Sequence, residues 1–94
     1  MKVYVLYDCV ENPDEWAFAG VEHIYANHAD AVDRMQDLFL ECLNEHDIND
    51  AESMRDSYID DWGARVADVP AGYRHTWTIT EETVVRNTIY MLGN

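Results

Sequence analysis

The sequence predicts an α+β fold: a small, mostly antiparallel sheet of three to four strands with two acidic amphipathic helices on one face. Residues 2–10 and 73–80 have the composition and alternation of strands. Between residues 27 and 62, apolar side chains recur at three- and four-residue spacing, and eleven of the chain's nineteen acidic residues lie there. The length of 94 residues predicts a single domain, 1–94.

The N-terminal third predicts two paired strands. Residues 2–10 (KVYVLYDCV) are apolar on both faces except at Asp8, which is typical of a central strand covered on both sides. Turn-forming Asn12 and Pro13 follow, so residues 16–26 are expected to return antiparallel to the first strand. Gly20 within this second strand predicts a bulge or a close approach to the backbone.

The first helix is predicted over residues 28–45, because Asn27 is a good N-cap and Asp30 lies three residues later. Its apolar stripe should face the sheet. That stripe consists of Ala31, Met35, Leu38, Phe39, Cys42 and Leu43. The acidic residues on the opposite side are Asp30, Asp33, Asp37, Glu41 and Glu45.

A second helix is predicted from an N-cap at Asn49, with Glu52 at the third position, to about Trp62, where Gly63 would end it. Its inner stripe would be Ala51, Met54, Tyr58 and Trp62, and its outer, acidic stripe Glu52, Asp56 and Asp60. Residues 64–72, with Pro70 and Gly72, predict a connector.

The C-terminal part predicts one clear strand and one ambiguous segment. Tyr73, His75, Trp77 and Ile79 alternate with polar residues over 73–80, so the imidazole of His75 is expected to be a hydrogen-bonded core group. Residues 83–92 could form a fourth strand, continue the third, or pack as an arm on a neighbouring molecule. Because an unpaired edge strand favours association, we expect a homodimer through this C-terminal strand.

Composition limits the choice of partners. A formal net charge of −13 with six basic residues argues against direct binding of nucleic acid or of a membrane, and favours a basic protein surface. No apolar run is long enough to span a membrane and no signal-peptide pattern is present, so we expect a cytoplasmic protein. Cys9 and Cys42 are then expected as reduced thiols.

Candidate catalytic and metal-binding patterns are weak. Cys42 and His46 lie one helical turn apart, but two ligands do not make a zinc site. A calcium loop starting at Asp47 fails at positions 5, 6 and 12 of the EF-hand pattern. No nucleophile elbow or phosphate-binding glycine loop occurs. We therefore expect a protein that is not an enzyme and that uses no metal or cofactor.

The acidic stripes have three explanations: solubility, adaptation to high salt, or a selected electrostatic field. Five like-charge pairs at i,i+4 spacing each cost roughly 0.2–0.5 kcal/mol, which interspersed lysines would avoid. Asp30 to Glu45 spans about 22 Å, with one net charge per roughly 5–6 Å, within a factor of two of the ~3.4 Å charge spacing of a DNA strand. The predicted partner-binding residues are Asp30, Asp33, Asp37, Glu41, Glu45, Glu52, Asp56 and Asp60.

The opening Lys2-Val3-Tyr4-Val5, the Gly20-Val21 pair in the second strand and Ala31 early in the helix resemble a pattern in small uncharacterised phage and mobile-element proteins. Glu22 stands where that pattern has a phenylalanine. The resemblance covers the first third of the chain. It implies a strand–strand–helix order and a phage or mobile-element origin.

These observations predict a non-enzymatic, DNA-mimicking inhibitor. It would block a basic nucleic-acid-binding surface of a host defence complex, either a CRISPR effector (an anti-CRISPR role) or a restriction enzyme, in the host cytoplasm. The alternative is a small structural or adaptor domain whose acidity serves solubility or pairing with a basic partner.

Overall fold

The computed structural model describes residues 1–12 and 16–84. The strands are β1 (Lys2–Asn12), β2 (Trp16–Tyr25), β3 (Tyr58–Ile59), β4 (Gly63–Asp68) and β5 (Tyr73–Thr83), and the helices are α1 (His28–His46) and α2 (Ala51–Asp56). The strands form one antiparallel sheet in the order β2-β1-β5-β4-β3. The α+β class is confirmed, with five strands in the described ranges where three to four were predicted.

The centre of the sheet is β1, which pairs antiparallel with β2 on one side and β5 on the other. The predicted pairing of the first two strands is therefore confirmed. Leu6 pairs with His23 and Tyr7 with Val21, so Glu22 is the extra residue of a β-bulge. The bulge lies two residues beyond Gly20, where a side chain would come within 3.2 Å of the Phe18 ring.

Helix α1 follows the predicted pattern closely. The Asn27 side chain accepts a hydrogen bond from the Asp30 amide at 2.9 Å, which confirms the predicted N-cap. The helix ends at His46, and its C-cap Asp47 has a left-handed backbone (φ 49°) that suits an aspartate better than most residues. The apolar stripe faces the sheet, with Ala31, Met35 and Cys42 buried and the other three members packed against the core.

The core lies between α1 and one face of the sheet. Its largest buried side chains are Trp77, Leu6, Met35 and Val66. On the opposite face Tyr7, Val21 and Ile24 are exposed, whereas Ala67 of β4 is buried. The prediction of a β1 strand covered on both sides is therefore wrong at Tyr7, although Val5 on the same face is buried.

The predicted second helix is wrong beyond Asp56. Its N-cap is Asp50, whose carboxylate accepts from the Ser53 amide at 3.0 Å, rather than Asn49. The helix stops after six residues because the Ser57 hydroxyl donates to the Ser53 carbonyl and accepts from the Ala67 amide of β4. These bonds give the backbone an alternative to another helical turn.

Residues beyond α2 form a hairpin instead of a helix. The Asp60 carboxylate accepts from the amides of Trp62 and Gly63, both at 2.8 Å, and so stabilises the turn between β3 and β4. The connector predicted over 64–72 is therefore wrong for its first part, which belongs to β4. Ala64 and Val66 of this strand are fully buried in the core with α1.

Strand β5 confirms and extends the strand predicted over 73–80. Its Trp77 and Ile79 are buried, as the alternation predicted. At its end the Val84 amide donates to the Met1 carbonyl at 2.8 Å. The remainder of the segment 83–92, and with it the expected homodimer strand, lies outside the described residues.

Candidate protein-binding surface

Five exposed carboxylates occupy one side of α1. We call this surface the acidic stripe; its members are Asp30, Asp33, Asp37, Glu41 and Glu45. At about 100° per residue they fall within an arc of roughly 120°, away from the buried stripe. The first helix therefore presents the whole acidic set that its sequence predicts on one surface.

Arg34, the one arginine of α1, lies within the arc of the acidic stripe, but its ion pair is with Glu22 of β2. Four of the five lysines and arginines in the described ranges form ion pairs with acids elsewhere. These pairs are Lys2–Glu81, Arg34–Glu22, Arg65–Asp56 and Arg74–Asp56, with N–O distances of 3.4–3.7 Å. Within these ranges no lysine or arginine pairs with a stripe carboxylate, so the stripe keeps its negative potential.

The other three predicted partner-binding residues are separated from the stripe. Glu52 is exposed on α2. Asp56 ends α2 half-buried between Arg65 and Arg74, which compensate its charge. Asp60 holds the turn before β4. The structure therefore brings together the five acids of α1 and gives two of the other three a local structural role.

Salt should stabilise this fold, because the unpaired carboxylates of α1 repel one another and mobile ions screen exposed charges over about 8–10 Å. We expect the thermal midpoint to rise from low to physiological NaCl, as measured by circular dichroism. A variant with Asp33→Asn, Asp37→Asn and Glu41→Gln should show a smaller rise. A protein that unfolds below molar salt would instead support the high-salt explanation of its charge.

A half-buried polar network lies near the C-terminal end of α1. The His75 imidazole lies 3.3 Å from the Asp8 carboxylate and 3.2 Å from the Tyr73 hydroxyl, and it stacks on Trp77 at 4.0 Å. The expectation of a hydrogen-bonded histidine is confirmed. Its partner Asp8 is the single charged residue within the apolar run of residues 3–10.

The last turn of α1 joins this network. His46 lies 3.1 Å from the Asp68 carboxylate of β4, and its ring stacks on Tyr73 at 4.2 Å. These contacts attach the end of the helix to two strands. They also engage the imidazole that the Cys42–His46 spacing had offered as a metal ligand.

The chemistry of this network favours a structural role. Burial raises the pKa of Tyr73 to about 12 and that of Cys42 to about 11, so both groups are neutral near pH 7. A phenol and a thiol held in this form are poor nucleophiles. The network can therefore donate and accept hydrogen bonds inside the fold.

Stability should fall in mild acid because of His75. Burial lowers its pKa, although the Asp8 carboxylate acts in the opposite direction. The unfolded chain then binds a proton more readily than the fold, so stability decreases as pH falls below about 6.5. We expect His75→Gln to reduce the drop in thermal midpoint between pH 7.5 and 5.5. The matched change at exposed His23 should leave that drop unaltered; an equal effect of both changes would contradict the assignment.

A surface depression of about 560 Å³ lies at the end of the sheet near Tyr73 and Arg74. Two charged groups that line it, the Arg74 guanidinium and the Asp56 carboxylate, are already paired with each other.

Comparisons with protein-family models, curated proteins and solved structures find no match to this chain. Neither described helix is long and apolar enough to cross a membrane, and the described residues contain no cluster of three histidine, cysteine or acidic side chains suited to a metal ion.

Proposed function

We propose that this protein is a non-enzymatic binding module that mimics nucleic acid. Its acidic stripe occupies a basic surface where a partner protein binds DNA or RNA. The observation that supports this function is the α1 surface: five exposed acids lie on one helix, and none of them forms an ion pair with a described lysine or arginine.

The spacing of the carboxylates suits such a partner. Asp33, Asp37 and Glu41 follow one another at four-residue intervals, which places them about 6 Å apart along the helix axis. Arginine and lysine side chains that contact phosphates also form charge-assisted hydrogen bonds with carboxylates. A row of carboxylates can therefore satisfy cations that otherwise contact a nucleic-acid backbone.

The cost of the stripe also supports a binding role. Three of the like-charge i,i+4 pairs expected from the sequence lie on α1, the pairs that link Asp33, Asp37, Glu41 and Glu45. Each costs roughly 0.2–0.5 kcal/mol. Mixed charges would maintain solubility without that cost, so solubility alone does not account for a surface of one sign.

The resemblance to phage and mobile-element proteins points to the class of target. A protein of that origin encounters the nucleic-acid-binding defence complexes of its host, such as a CRISPR effector or a restriction enzyme. We therefore place the proposed interaction in the host cytoplasm, between the acidic stripe and the basic channel of such a complex.

Affinity capture tests this function. The protein is immobilised, incubated with nuclease-treated bacterial lysate, and eluted with added duplex DNA, RNA or NaCl. We expect the captured partners to be nucleic-acid-binding proteins that are released by nucleic acid and by moderate salt. A specific partner that resists both would overturn the mimic proposal and favour the adaptor alternative.

A further inference from the structure

An apolar groove runs between α1 and α2. It has a volume of about 460 Å³. We define it by the apolar side chains of Phe39, Leu43, Ile48 and Met54, with Asn44 and Asp47 at its rim. None of the contacts proposed for the acidic stripe uses these side chains.

The groove is open rather than enclosed. The Met54 residue is 60% exposed, and Leu40 beside the groove is 56% exposed. A typical small-molecule site buries about 70–90% of its ligand, which a surface this open does not provide. It suits an extended partner that lays a row of side chains along it.

The groove and the acidic stripe are parts of one continuous surface. At about 100° per residue, Leu40 lies roughly 60° around α1 from Asp37 on one side and roughly 60° from Leu43 on the other. Leu40 therefore bridges the two features. A partner that contacts the stripe passes directly beside the groove.

The charged residues around the groove favour a partner that carries positive charge. Asp47 lies in its rim, and Glu52 is exposed on α2. Arg55 is the cation nearest to it in sequence, but it lies about 100° around α2 from Met54. The acids on both sides of the apolar surface thus favour a partner with positive charges flanking its apolar side chains.

We propose that the apolar groove binds the apolar face of a basic amphipathic helix. Leucine-like side chains at i and i+3 or i+4 would enter the groove, while the flanking arginines or lysines contact the acidic stripe. This inference rests on the proposed function, since it describes how the same partner docks. It adds an apolar anchor that determines which basic surface is recognised.

Two synthetic peptides test the groove. One is a fluorescein-labelled helix with leucines on one face and arginines on its flanks; the other keeps every arginine and replaces each leucine by alanine. Because the peptides carry the same charge, their difference in affinity reports the apolar contact alone. By fluorescence anisotropy we expect the leucine peptide to bind at least about tenfold more tightly.

Variants locate that contact. The double variant Leu40→Ser with Met54→Ser should bind the two peptides with equal affinity. The matched control, Val21→Ser with Ile24→Ser, changes two residues that are each 56% exposed on the face of the sheet opposite α1. It should still bind the leucine peptide more tightly than the alanine peptide. Circular dichroism confirms that both variants are folded, which their exposed positions favour.

The outcomes separate this inference from the function on which it rests. Two results would contradict binding in the groove: equal affinity of the wild-type protein for both peptides, or a difference in affinity that persists after Leu40→Ser with Met54→Ser. Neither result bears on charge recognition by the acidic stripe. If both peptides bind the triple variant Asp33→Asn, Asp37→Asn and Glu41→Gln as tightly as the wild-type protein, the acidic stripe is not the site of charge recognition.

Discussion

Neutralising the middle of the acidic stripe should abolish partner binding while the fold survives. In the triple variant Asp33→Asn, Asp37→Asn and Glu41→Gln, three unpaired carboxylates of α1 lose their charge. Each close charge pair across an interface contributes about 1.5 kcal/mol or more, so we expect a loss of at least about 100-fold in affinity. Calorimetry with a captured partner measures it.

Single substitutions at these positions should each weaken binding by about tenfold, much less than the triple change, since several carboxylates share the contact. The thermal midpoint of the triple variant should be unchanged or higher, because its like-charge pairs are relieved. The matched control is Glu11→Gln with Asp61→Asn and Glu82→Gln, an equal change of charge at exposed sites outside α1. Equal losses in both triple variants would show that net charge, rather than the stripe, determines binding.

Replacing Trp77 by alanine should cause the largest loss of stability that we predict. The side chain is 2% exposed, lies in the core beneath α1, and stacks on His75. Removing a buried tryptophan costs about 3–5 kcal/mol, which is much of the stability of a small domain. Urea denaturation followed by circular dichroism should show a mostly unfolded or strongly destabilised protein.

Trp62 is the matched control for this change. It is 48% exposed and stacks on His28 at 4.1 Å, so Trp62→Ala should cost about 1 kcal/mol. The same atoms are removed at both sites, and burial is the main difference. Similar losses at the two positions would contradict the core described here.

The elements that sequence predicted well are those whose local pattern agrees with their packing. In α1, the cap at Asn27 and the spacing of Ala31, Met35 and Cys42 all favour a helix with one buried side. In β5, Trp77 and Ile79 alternate with exposed or half-buried residues, as in a strand with one wet face. Each signal lies within a few residues, so no distant contact is needed to read it.

The region after α1 could not be predicted in this way. Tyr58 and Trp62 continue the four-residue spacing of a helix, yet hydrogen bonds of Ser57 and Asp60 direct them into the β3–β4 hairpin. Strand β4 contains glycine, alanines and an arginine, so its local strand propensity is weak. It is a strand because β5 pairs with it and α1 covers Ala64.

The candidate site was predicted only where its pattern is local in sequence. A helical period places the acids of α1 on one side without further information. The compensation of Asp56 by Arg65 and Arg74, and the pairing of Asp8 with His75, depend on contacts between distant parts of the chain. Asp8 alone gave a local signal, as the single charged residue within the apolar run of residues 3–10.

Mutual exclusion is the most direct test of nucleic-acid mimicry. Fluorescently labelled DNA or RNA is bound to a purified partner, and this protein is added while anisotropy is recorded. We predict that it displaces the labelled nucleic acid completely, at concentrations set by its own affinity for the partner, and that higher salt weakens both complexes. A stable ternary complex, in which the partner holds this protein and its nucleic acid together, would contradict the mimicry.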